Sequence, residues 1–331
     1  MKILVTGGAG FMGSNFIHYI LQEHPDVEIV NLDKLTYAGN LNNLKDIANN
    51  KNYEFVQGDI VDEKIVDEVM QKGIEVIINY AAETHVDRSI QQARDFIFTD
   101  VVGTYTLLEA AKKYKIKKYI QISTDEVYGS IAEGEFTEDS PFMPNSPYSA
   151  SKAGADHLCR AYHVTYDLPV IITHSCNFMG PYQYPEKLIP LFITNLVEDK
   201  KVPVYGKGEQ MREWIYTSDH CRAVETIWKN GKAGETYNIG TKEFSTNMET
   251  TKKILNLMGK GEDMIEYVTD RPGHDFRYAL NSDKLRTLGW QPEFDFDKAL
   301  AATVDWYKAN DWWWQPIKTG EYLEYYKKQY K

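Results

Sequence analysis

The feature that most constrains the fold is a glycine-rich turn near the amino terminus. It follows a β-branched and aliphatic run, Lys2-Ile3-Leu4-Val5-Thr6, and precedes a helical pattern over residues 14–23. Three glycines, Gly7, Gly10 and Gly13, space the turn as G-x-x-G-x-x-G. Glycine permits a tight turn and lets the backbone approach a pyrophosphate at the N-terminus of a helix. The segment therefore predicts a strand, turn and helix that bind a dinucleotide.

The next three apolar runs end in residues suited to the rest of such a cofactor. Residues 28–32 end at Asp33, whose carboxylate can accept hydrogen bonds from ribose hydroxyls and would repel a 2′-phosphate. We therefore predict NAD rather than NADP, and expect Asp33 to serve the ligand rather than the core. Asp59 closes the third run and is placed to meet the adenine ring, whereas Ala81 and Ala82 follow the fourth and allow close approach of a cofactor.

Strand-like and helical runs alternate up to about residue 175. This alternation predicts an α/β fold, a doubly wound Rossmann-type parallel sheet of about six strands. Beyond Cys176 the rhythm changes to charged loops. We expect an NAD-binding domain over residues 1–175 and a smaller α/β substrate-binding domain mainly over 176–331, some segments of which return to the first. The Trp run at 312–314 is expected to pack against the body or a subunit.

The stretch from Ser123 to Lys152 carries the chemistry. Thr124, Asp125 and Glu126 follow a buried strand-like run, so they should lie at its carboxyl end, where open α/β sheets bind ligands. Tyr148 and Lys152 are one turn apart on a helix that begins after Pro147. A phenol has a pKa of about 10, and we expect the Lys152 ammonium to lower that of Tyr148 enough for it to act as a general base. An ordinary amphipathic helix start would give the same spacing.

Charge and cysteine content exclude several classes of protein. The net charge of −11 argues against nucleic acid and anionic membrane surfaces as partners. Three scattered cysteines are too few for a disulfide framework or a metal cluster. With no signal-peptide pattern and no long apolar run, we expect a cytoplasmic enzyme. The cations that would hold a diphosphate must then be local, and Lys187, Arg212 and Arg271 are candidates.

Over nearly its whole length the chain resembles the extended short-chain dehydrogenase/reductase family and, within it, the dTDP-glucose 4,6-dehydratases. The resemblance rests on the glycine turn and on five further motifs: Asp33-Lys34-Leu35-Thr36-Tyr37-Ala38-Gly39-Asn40-Leu41, His85-Val86-Asp87-Arg88-Ser89, Thr124-Asp125-Glu126-Val127-Tyr128-Gly129, Tyr148-Ser149-Ala150-Ser151-Lys152 and Pro185-Glu186-Lys187-Leu188-Ile189-Pro190. Arg271-Pro272-Gly273-His274 adds a sixth. The Asp125-Glu126 pair is the specific part, because the related nucleotide-sugar 4-epimerases keep the Tyr and Lys without paired acids.

The resemblance implies a hydro-lyase that binds NAD and a nucleotide-diphosphate hexose, in a homodimer. Tyr148 would take the 4-hydroxyl proton during oxidation at C4, Glu126 would remove the C5 proton, and Asp125 would protonate the departing 6-hydroxyl. Thr124 would hydrogen-bond the sugar and Lys152 would assist Tyr148. The implied cofactor residues are Gly7, Gly10, Phe11, Met12, Gly13, Asp33, Lys34, Asp59, Ile60, Ala81, Ala82, Thr99, Tyr148 and Lys152. The implied substrate residues are Thr84, His85, Asn177, Lys187, Leu188, Tyr205, Arg212, Asn247, Arg271 and His274.

One segment departs from this pattern. Phe178 and Met179 stand where these enzymes carry an amide and a phenol, and His174 stands where arginine or asparagine is usual. We expect this segment to form the floor near the nicotinamide and the sugar. The substrate expected on overall resemblance is dTDP-glucose. UDP-N-acetylglucosamine, hydride return to C4 with a 5,6-ene product, and 4-epimerisation stay open as alternatives, as does a non-catalytic NAD-binding protein.

Overall fold

A computed structural model describes residues 1–270 and 274–329. Twelve strands are found in these ranges: β1 Lys2–Thr6, β2 Glu28–Asp33, β3 Tyr53–Gln57, β4 Val76–Asn79, β5 Lys118–Thr124, β6 Val170–Ser175, β7 Asn177–Met179, β8 Val202–Tyr205, β9 Met211–Tyr216, β10 Thr236–Ile239, β11 Phe244–Thr246 and β12 Ile265–Val268. The α-helices are α1 Phe11–Glu23, α2 Glu63–Met70, α3 Val86–Gln91, α4 Arg94–Phe96, α5 Thr104–Tyr114, α6 Pro147–Tyr166, α7 Leu188–Val197, α8 Thr217–Asn230, α9 Asn247–Leu257, α10 Asp283–Arg286, α11 Phe296–Ala309, α12 Asp311–Trp314 and α13 Glu321–Gln329. Short 3₁₀ helices span Leu41–Ile47, Asp125–Tyr128 and Glu262–Met264, and a π-helix spans Ile97–Gly103.

Seven of these strands form one parallel sheet in the order β10-β6-β5-β4-β1-β2-β3. The strand order reverses between β1 and β4, which is where a doubly wound sheet opens a crevice at its carboxyl edge. The predicted Rossmann-type fold is confirmed, and the sheet has seven strands where about six were expected. The additional strand is β10, which comes from the carboxyl-terminal half and pairs with β6 through Tyr237 and Thr173.

Alternate residues of the central strand face two different helical layers. Ile3 and Val5 belong to a core that includes residues of α1 and α8, whereas Leu4 belongs to a core that includes residues of α2, α5 and α6. Both layers are apolar, so the inner strands β1, β2, β4, β5 and β6 are buried on both faces, as is typical of parallel sheets, whereas the edge strand β3 is only partly buried. The sheet therefore holds the carboxyl ends of β1, β2, β4, β5 and β6 in a fixed row.

A third core lies apart from the large sheet. It joins residues of α7, α9, α11 and α12 to the small sheets β11-β9-β7 and β12-β8. All of these elements come from beyond residue 176. Two other elements from the same part of the chain, α8 and β10, belong instead to the large sheet and its layer.

The three consecutive tryptophans have different environments. Trp313 and Trp314 are buried in the third core, and Trp313 Nε1 donates to Asn43 Oδ1 at 2.7 Å. Trp312 is 49% exposed, so packing against the body accounts for only two of the three. Among the described helices, none combines the length and the apolar character needed to cross a membrane.

Candidate active site

One deep cleft runs along the carboxyl edge of the large sheet and is closed on its far side by the smaller lobe. Every predicted catalytic, cofactor and substrate residue lines this cleft, except Arg271, which lies outside the described residues. Their binding and catalytic roles stay predictions. The structure does, however, bring together side chains from both halves of the chain.

The packing of the chain itself requires glycine in the turn after β1, in addition to any need of a ligand that binds there. Gly7 has a φ of +67°, and a Cβ there would lie 2.7 Å from the backbone of Ala81. A Cβ at Gly13 would overlap the carbonyl of Gly7, whereas Gly10 has more room. Gly10 is the N-cap of α1 and supplies no side-chain cap. The first N–H groups of α1 therefore face the cleft, an arrangement that suits a phosphate.

Asp33 ends β2 and is anchored on both carboxylate oxygens. Oδ2 accepts from the backbone N of Ala9 at 2.9 Å, and Oδ1 accepts from the backbone N of Leu35 at 2.8 Å. Burial raises the pKa of Asp33, and these two backbone bonds act in the opposite direction. Asp33 thus holds the glycine turn against the loop after β2 while lining the cleft. The expectation that it serves only the ligand is wrong.

The outer end of the cleft combines an ion pair with small and apolar side chains. Lys34 Nζ lies 2.7 Å from Asp59 Oδ2, and this bond raises the pKa of Lys34. Ile60 is buried beside them, and Thr99 enters from the π-helix.

Thr124, the last residue of β5, organises the paired acids. Its hydroxyl caps the short 3₁₀ helix by accepting from Glu126 N at 3.3 Å, and it donates to Asp125 Oδ1 at 3.1 Å. Asp125 is 2% exposed, and among the described residues no group hydrogen-bonds to its Oδ2. Burial, and then the neighbouring Glu126, raise the pKa of Asp125 well above its ordinary value. Asp125 is therefore suited to hold a proton at neutral pH, as a general acid must.

Tyr148 lies in the first turn of α6, the helix that also carries Lys152. The helix starts with Pro147 and a capping box in which Ser146 and Ser149 bond each other's backbone, so its first turn is firmly fixed. Burial, and then the charges of Glu126 and Asp100, raise the pKa of Tyr148 well above its ordinary value. Lys152 Nζ donates to the carbonyl of Ile122 at 2.7 Å. The expectation that Lys152 lowers the pKa of Tyr148 is therefore wrong for this arrangement, because burial dominates.

Two further acids lie behind this pair and were not singled out by the sequence. Asp100, on the π-helix, accepts from Ser151 Oγ at 2.6 Å and from Glu83 N at 3.0 Å. Burial raises the pKa of Asp100 to about 6, although Lys152 acts against it. Burial, and then the charges of Asp100 and Asp95, raise the pKa of Glu83 to about 7. Nothing in the spacing of these residues indicates that they would meet.

The smaller lobe supplies cations and amides on the opposite wall. Arg212 donates to the carbonyl of Asp275 at 2.9 Å, and its guanidinium lies 4.6 Å from the ring centre of Tyr278, which the sequence did not indicate. Lys187 Nζ donates to the carbonyl of Thr84 at 2.8 Å. The remaining predicted substrate residues from this lobe are Asn177, Leu188, Tyr205, Asn247 and His274, whereas Thr84 and His85 line the cleft from the loop after β4.

A largely buried ion pair joins helix α3 to two loops beside this wall. Arg88 Nε lies 3.0 Å from Glu186 Oε2, and Tyr37 donates to Glu186 Oε1 at 3.1 Å. The Arg88 guanidinium also lies 3.8 Å from the ring centre of Tyr37. Tyr37, Arg88 and Glu186 all belong to motifs on which the family resemblance rests. The charged residues Arg88 and Glu186 within those motifs are the sequence signal that could have indicated this cluster.

The departing segment divides between the cleft and the core. Phe178 lines the cleft and meets Phe11 edge-on, with ring centres 6.3 Å apart. Met179 is 0% exposed and packs in the third core. His174 is buried behind the site, where its Nδ1 meets Tyr128 OH at 2.7 Å and its Nε2 meets Asp156 Oδ2 at 3.1 Å. The expectation that this segment forms the cleft floor is therefore right for Phe178 and wrong for Met179 and His174, because successive residues of a strand face opposite sides.

The sequence matches the family model described as GDP-mannose 4,6 dehydratase over residues 4–303. The chain belongs to this family. Two relatives are a dTDP-glucose 4,6-dehydratase of Streptomyces niveus, 50% identical with 97% of each chain covered, and the low-salt glycan biosynthesis protein Agl12 of Haloferax volcanii, 52% identical with 94% of this chain and 100% of the relative covered. The crystal structure of DesIV, a dTDP-glucose 4,6-dehydratase of Streptomyces venezuelae with NAD and TYD bound, matches with a TM-score of 0.94 and 49% identity over 96% of this chain and 100% of that one.

The cleft of this family member fits a dinucleotide along its length. An uncapped helix N-terminus faces a turn from which side chains are sterically excluded, and an anchored carboxylate stands at the end of the next strand. These are the pyrophosphate and ribose positions of a doubly wound sheet. The residues present therefore fit NAD, with Tyr148 and Lys152 at the opposite end from Asp59.

Proposed function

We propose that this protein is an NAD-dependent nucleotide-hexose 4,6-dehydratase that acts on dTDP-glucose. The observation that carries the proposal is the acid pair at the end of β5, the buried Asp125 and the half-buried Glu126, which lines the same cleft as Tyr148. Oxidation alone needs one base, as in an epimerase. Loss of water across C5–C6 needs a second base and an acid, and this cleft holds all three groups.

The chain's own residues divide the proton transfers. Tyr148 accepts the O4 proton once the positive charges of Lys152 and of bound NAD favour its ionised form, and Glu126 removes the C5 proton once C4 is a ketone. Asp125, whose pKa is raised by burial, gives its proton to the departing O6. When bound, NAD supplies a positively charged ring that accepts the hydride from C4 and returns it to C6. Gly10 and the first turn of α1, Asp33, and the pair Lys34 and Asp59 would hold it.

The nucleotide end of the substrate fits the smaller lobe. Arg212, Lys187 and Asn247 converge there from β9, the loop before α7 and the start of α9. The positive charges of Arg212 and Lys187 suit a diphosphate in a protein whose net charge is −11, and the Asn247 amide can donate a hydrogen bond to it. We propose residues 1–175 as the NAD-binding domain and 176–331 as mainly the substrate domain, with α8 and β10 assigned to the first.

The test uses two variants with opposite expectations. Glu126→Gln should still oxidise C4, so reduced nicotinamide should accumulate on the enzyme while water loss slows by about 10²–10⁴-fold, the usual range for a general base. Tyr148→Phe should abolish oxidation, so no reduced nicotinamide should appear. Identical behaviour of the two variants would contradict this division of roles.

UDP-N-acetylglucosamine is the second candidate substrate, and Phe178 is the observation that favours it. An apolar ring at the cleft wall offers no hydrogen bond where the related enzymes present an amide. Incubation with each nucleotide sugar, followed by mass and NMR analysis, separates the candidates. A 4-keto-6-deoxy product indicates hydride return to C6, whereas a 5,6-ene indicates return to C4.

We also infer a homodimer in the cytoplasm. Ile97, Phe98 and Tyr105 are exposed on the π-helix and α5, and Val164 and Tyr166 are exposed near the end of the adjacent α6. A second copy would cover these apolar side chains. The three cysteines are buried and unpaired, as suits a reducing compartment. Light scattering on the wild type and on Tyr105→Glu tests the dimer, since the variant should dissociate.

A further inference from the structure

His174, which belongs to the departing segment, lies in a row of polar side chains across three strands of the large sheet. Its register partners are Ser123 on β5 and Asn238 on β10. All three are buried, and His174 and Asn238 are 0% exposed. The proposed reaction assigns a role to none of them.

The imidazole of His174 joins two elements that carry catalytic groups. Its Nε2 lies 3.1 Å from Oδ2 of Asp156, which stands on α6 one turn beyond Lys152. Its Nδ1 lies 2.7 Å from the hydroxyl of Tyr128, the last residue of the 3₁₀ helix that begins with Asp125. A single ring therefore links α6 to the short helix that carries the acid pair.

The partners of the Tyr128 hydroxyl fix the direction of these bonds. Asn238 Nδ2 donates to the carbonyl of Phe136 at 3.0 Å, so Asn238 Oδ1 is the atom that accepts from the Tyr128 hydroxyl, at 2.9 Å. A hydroxyl has one proton, and the Tyr128 hydroxyl must therefore accept from His174 Nδ1. The ring bonds at both ends only when one proton lies on Nδ1 and a second lies between Nε2 and Asp156. A side chain with a single donor group cannot replace both bonds.

The position of the acid pair depends on Tyr128, because its helix is only four residues long. So short a 3₁₀ helix has few hydrogen bonds of its own. The Tyr128 ring stacks on Phe136 with centres 5.1 Å apart and meets Phe142 edge-on at 5.5 Å, while its hydroxyl supplies the directional contacts. Asp125 stands one turn before Tyr128 in this helix, so a shift of Tyr128 moves the acid pair with it.

Tyr148, by contrast, is held without this bridge. The capping box of Ser146 and Ser149 fixes the first turn of α6. Lys152 Nζ, one turn further along, donates to the carbonyl of Ile122 on β5. Loss of the bridge should therefore displace the acids relative to Tyr148 and leave Tyr148 in place.

On the basis of the proposed function, we propose that His174 is a positioning residue that sets the acid pair against the base Tyr148. Acting through Tyr128, it holds Glu126 at the sugar C5 and Asp125 at O6. Oxidation at C4 uses Tyr148 and does not depend on the bridge. Elimination of water uses both acids and does depend on it.

The test measures oxidation and elimination separately in the holoenzyme, with dTDP-glucose, or with UDP-N-acetylglucosamine if the wild type dehydrates only that sugar. Stopped-flow absorbance follows reduced nicotinamide, and rapid-quench analysis follows the dehydrated product. Tyr128→Phe keeps the ring and removes both hydrogen bonds of the hydroxyl. The ratio of the elimination rate to the oxidation rate should fall at least about tenfold, because a displacement of roughly 1 Å can cost about 10²-fold. Reduced nicotinamide should then accumulate, while NAD content and binding of the matching nucleotide diphosphate stay unchanged.

Tyr119→Phe is the matched control. Tyr119 is also a buried tyrosine whose hydroxyl has two partners: it accepts from Asn79 Nδ2 at 3.2 Å and donates to Gln121 Oε1 at 3.0 Å. It is not among the described residues that line the cleft. This variant should also melt at a lower temperature, but with the wild-type ratio of rates. An equal fall in that ratio for Tyr119→Phe, or equal slowing of oxidation and elimination in Tyr128→Phe, overturns the proposal.

His174→Gln breaks the same link from the other side. The glutamine amide nitrogen takes the place of Nε2, so the bond to Asp156 can persist while the bond to Tyr128 is lost. The ratio should fall as in Tyr128→Phe, and the double variant should stay within about twofold of either single one, because the two changes remove one shared bond. Effects that multiply in the double variant would show that the two residues act independently, and would overturn the bridge. His174→Gln takes the place of Tyr128→Phe if that variant does not fold.

Failure of the proposed function gives a different result. A wild-type holoenzyme that forms no dehydrated product from dTDP-glucose or UDP-N-acetylglucosamine contradicts the dehydratase. A wild type that forms this product, alongside a Tyr128→Phe variant with an unchanged ratio of rates, contradicts only the positioning role of His174.

Discussion

Asp125→Asn should make the protein more stable at neutral and alkaline pH while it removes the catalytic acid. The Asp125 carboxyl is buried beside Glu126, and burial raises its pKa well above that of the unfolded chain. An amide cannot ionise, and it retains an oxygen that can accept from Thr124. In the wild type, folding at neutral pH must keep this carboxyl protonated although it is ionised in the unfolded chain, and this costs free energy. The variant removes that cost.

The expected gain is the free energy of keeping the Asp125 carboxyl protonated in the folded protein at a pH where the unfolded chain has lost that proton. This free energy grows by about 1.4 kcal/mol for each pH unit above the unfolded pKa, up to the raised folded value. Unfolding entropy is about 2.1 cal/mol/K per residue, or about 0.7 kcal/mol/K for the 331 residues of this chain. The melting temperature of the variant should therefore exceed that of the wild type by about 2 °C for each pH unit within that window.

The stability difference between the wild type and the variant depends on pH. Between the unfolded pKa of about 3.9 and the raised folded value, the folded carboxyl holds a proton that the unfolded one has lost. The stability of the wild type therefore falls as the pH rises through that window. Below about pH 4 both states are protonated and the gain should vanish, so the difference between the variant and the wild type should grow with pH.

Calorimetric melts from pH 4 to 9 measure this gain, with NAD at the same saturation in both proteins because bound ligand adds stability. Asp156→Asn is the matched control. Asp156 is also buried, but it accepts from Ser123 at 2.6 Å and lies 3.1 Å from His174, so this variant should lose stability. A gain for Asp125→Asn that is equal at every pH, or a loss at pH 8, would refute the reasoning.

Four further substitutions test other parts of the cleft and its surroundings. Asp33→Ala should lower the amount of bound NAD. It should also reduce the free energy of unfolding by about 2–4 kcal/mol, because two charge-assisted hydrogen bonds, to the glycine turn and to the loop after β2, are lost. Unchanged stability in a urea titration would show that these two bonds do not stabilise the fold. Phe178→Asn should shift the ratio of kcat/KM values toward dTDP-glucose over UDP-N-acetylglucosamine. Met179→Tyr should mainly lower the free energy of unfolding, by about 1–3 kcal/mol, because the larger side chain overpacks the third core. A larger change in that ratio for Met179→Tyr than for Phe178→Asn would place the Met179 side chain in the site. Tyr325→Ala should raise the KM for the nucleotide sugar without changing NAD content, because its ring packs on Arg88 and its hydroxyl lies 3.4 Å from His85; an altered NAD content with an unchanged KM would contradict this.

The sequence by itself determined the large sheet and most of the cleft. Strand and helix periods are local properties, and the carboxyl ends of parallel strands meet at one edge. Gly7, Asp33, Thr124 and Tyr148 could therefore be assigned to one site without coordinates. The motifs also carried residues of the smaller lobe into the same cleft.

Only the tertiary structure determined the pKa shifts in the cleft and which side chains face it. The rise in the Tyr148 pKa depends on burial by residues distant in sequence, which no local spacing indicates. Met179 and His174 point away from the cleft because the side chains of a strand alternate between its two sides, and these two pack against neighbouring layers instead. The seventh strand joins the sheet from about 60 residues beyond β6. The contact of Thr124 with Asp125 needs the end of a strand to meet the first turn of a 3₁₀ helix, and that meeting is a property of the folded chain.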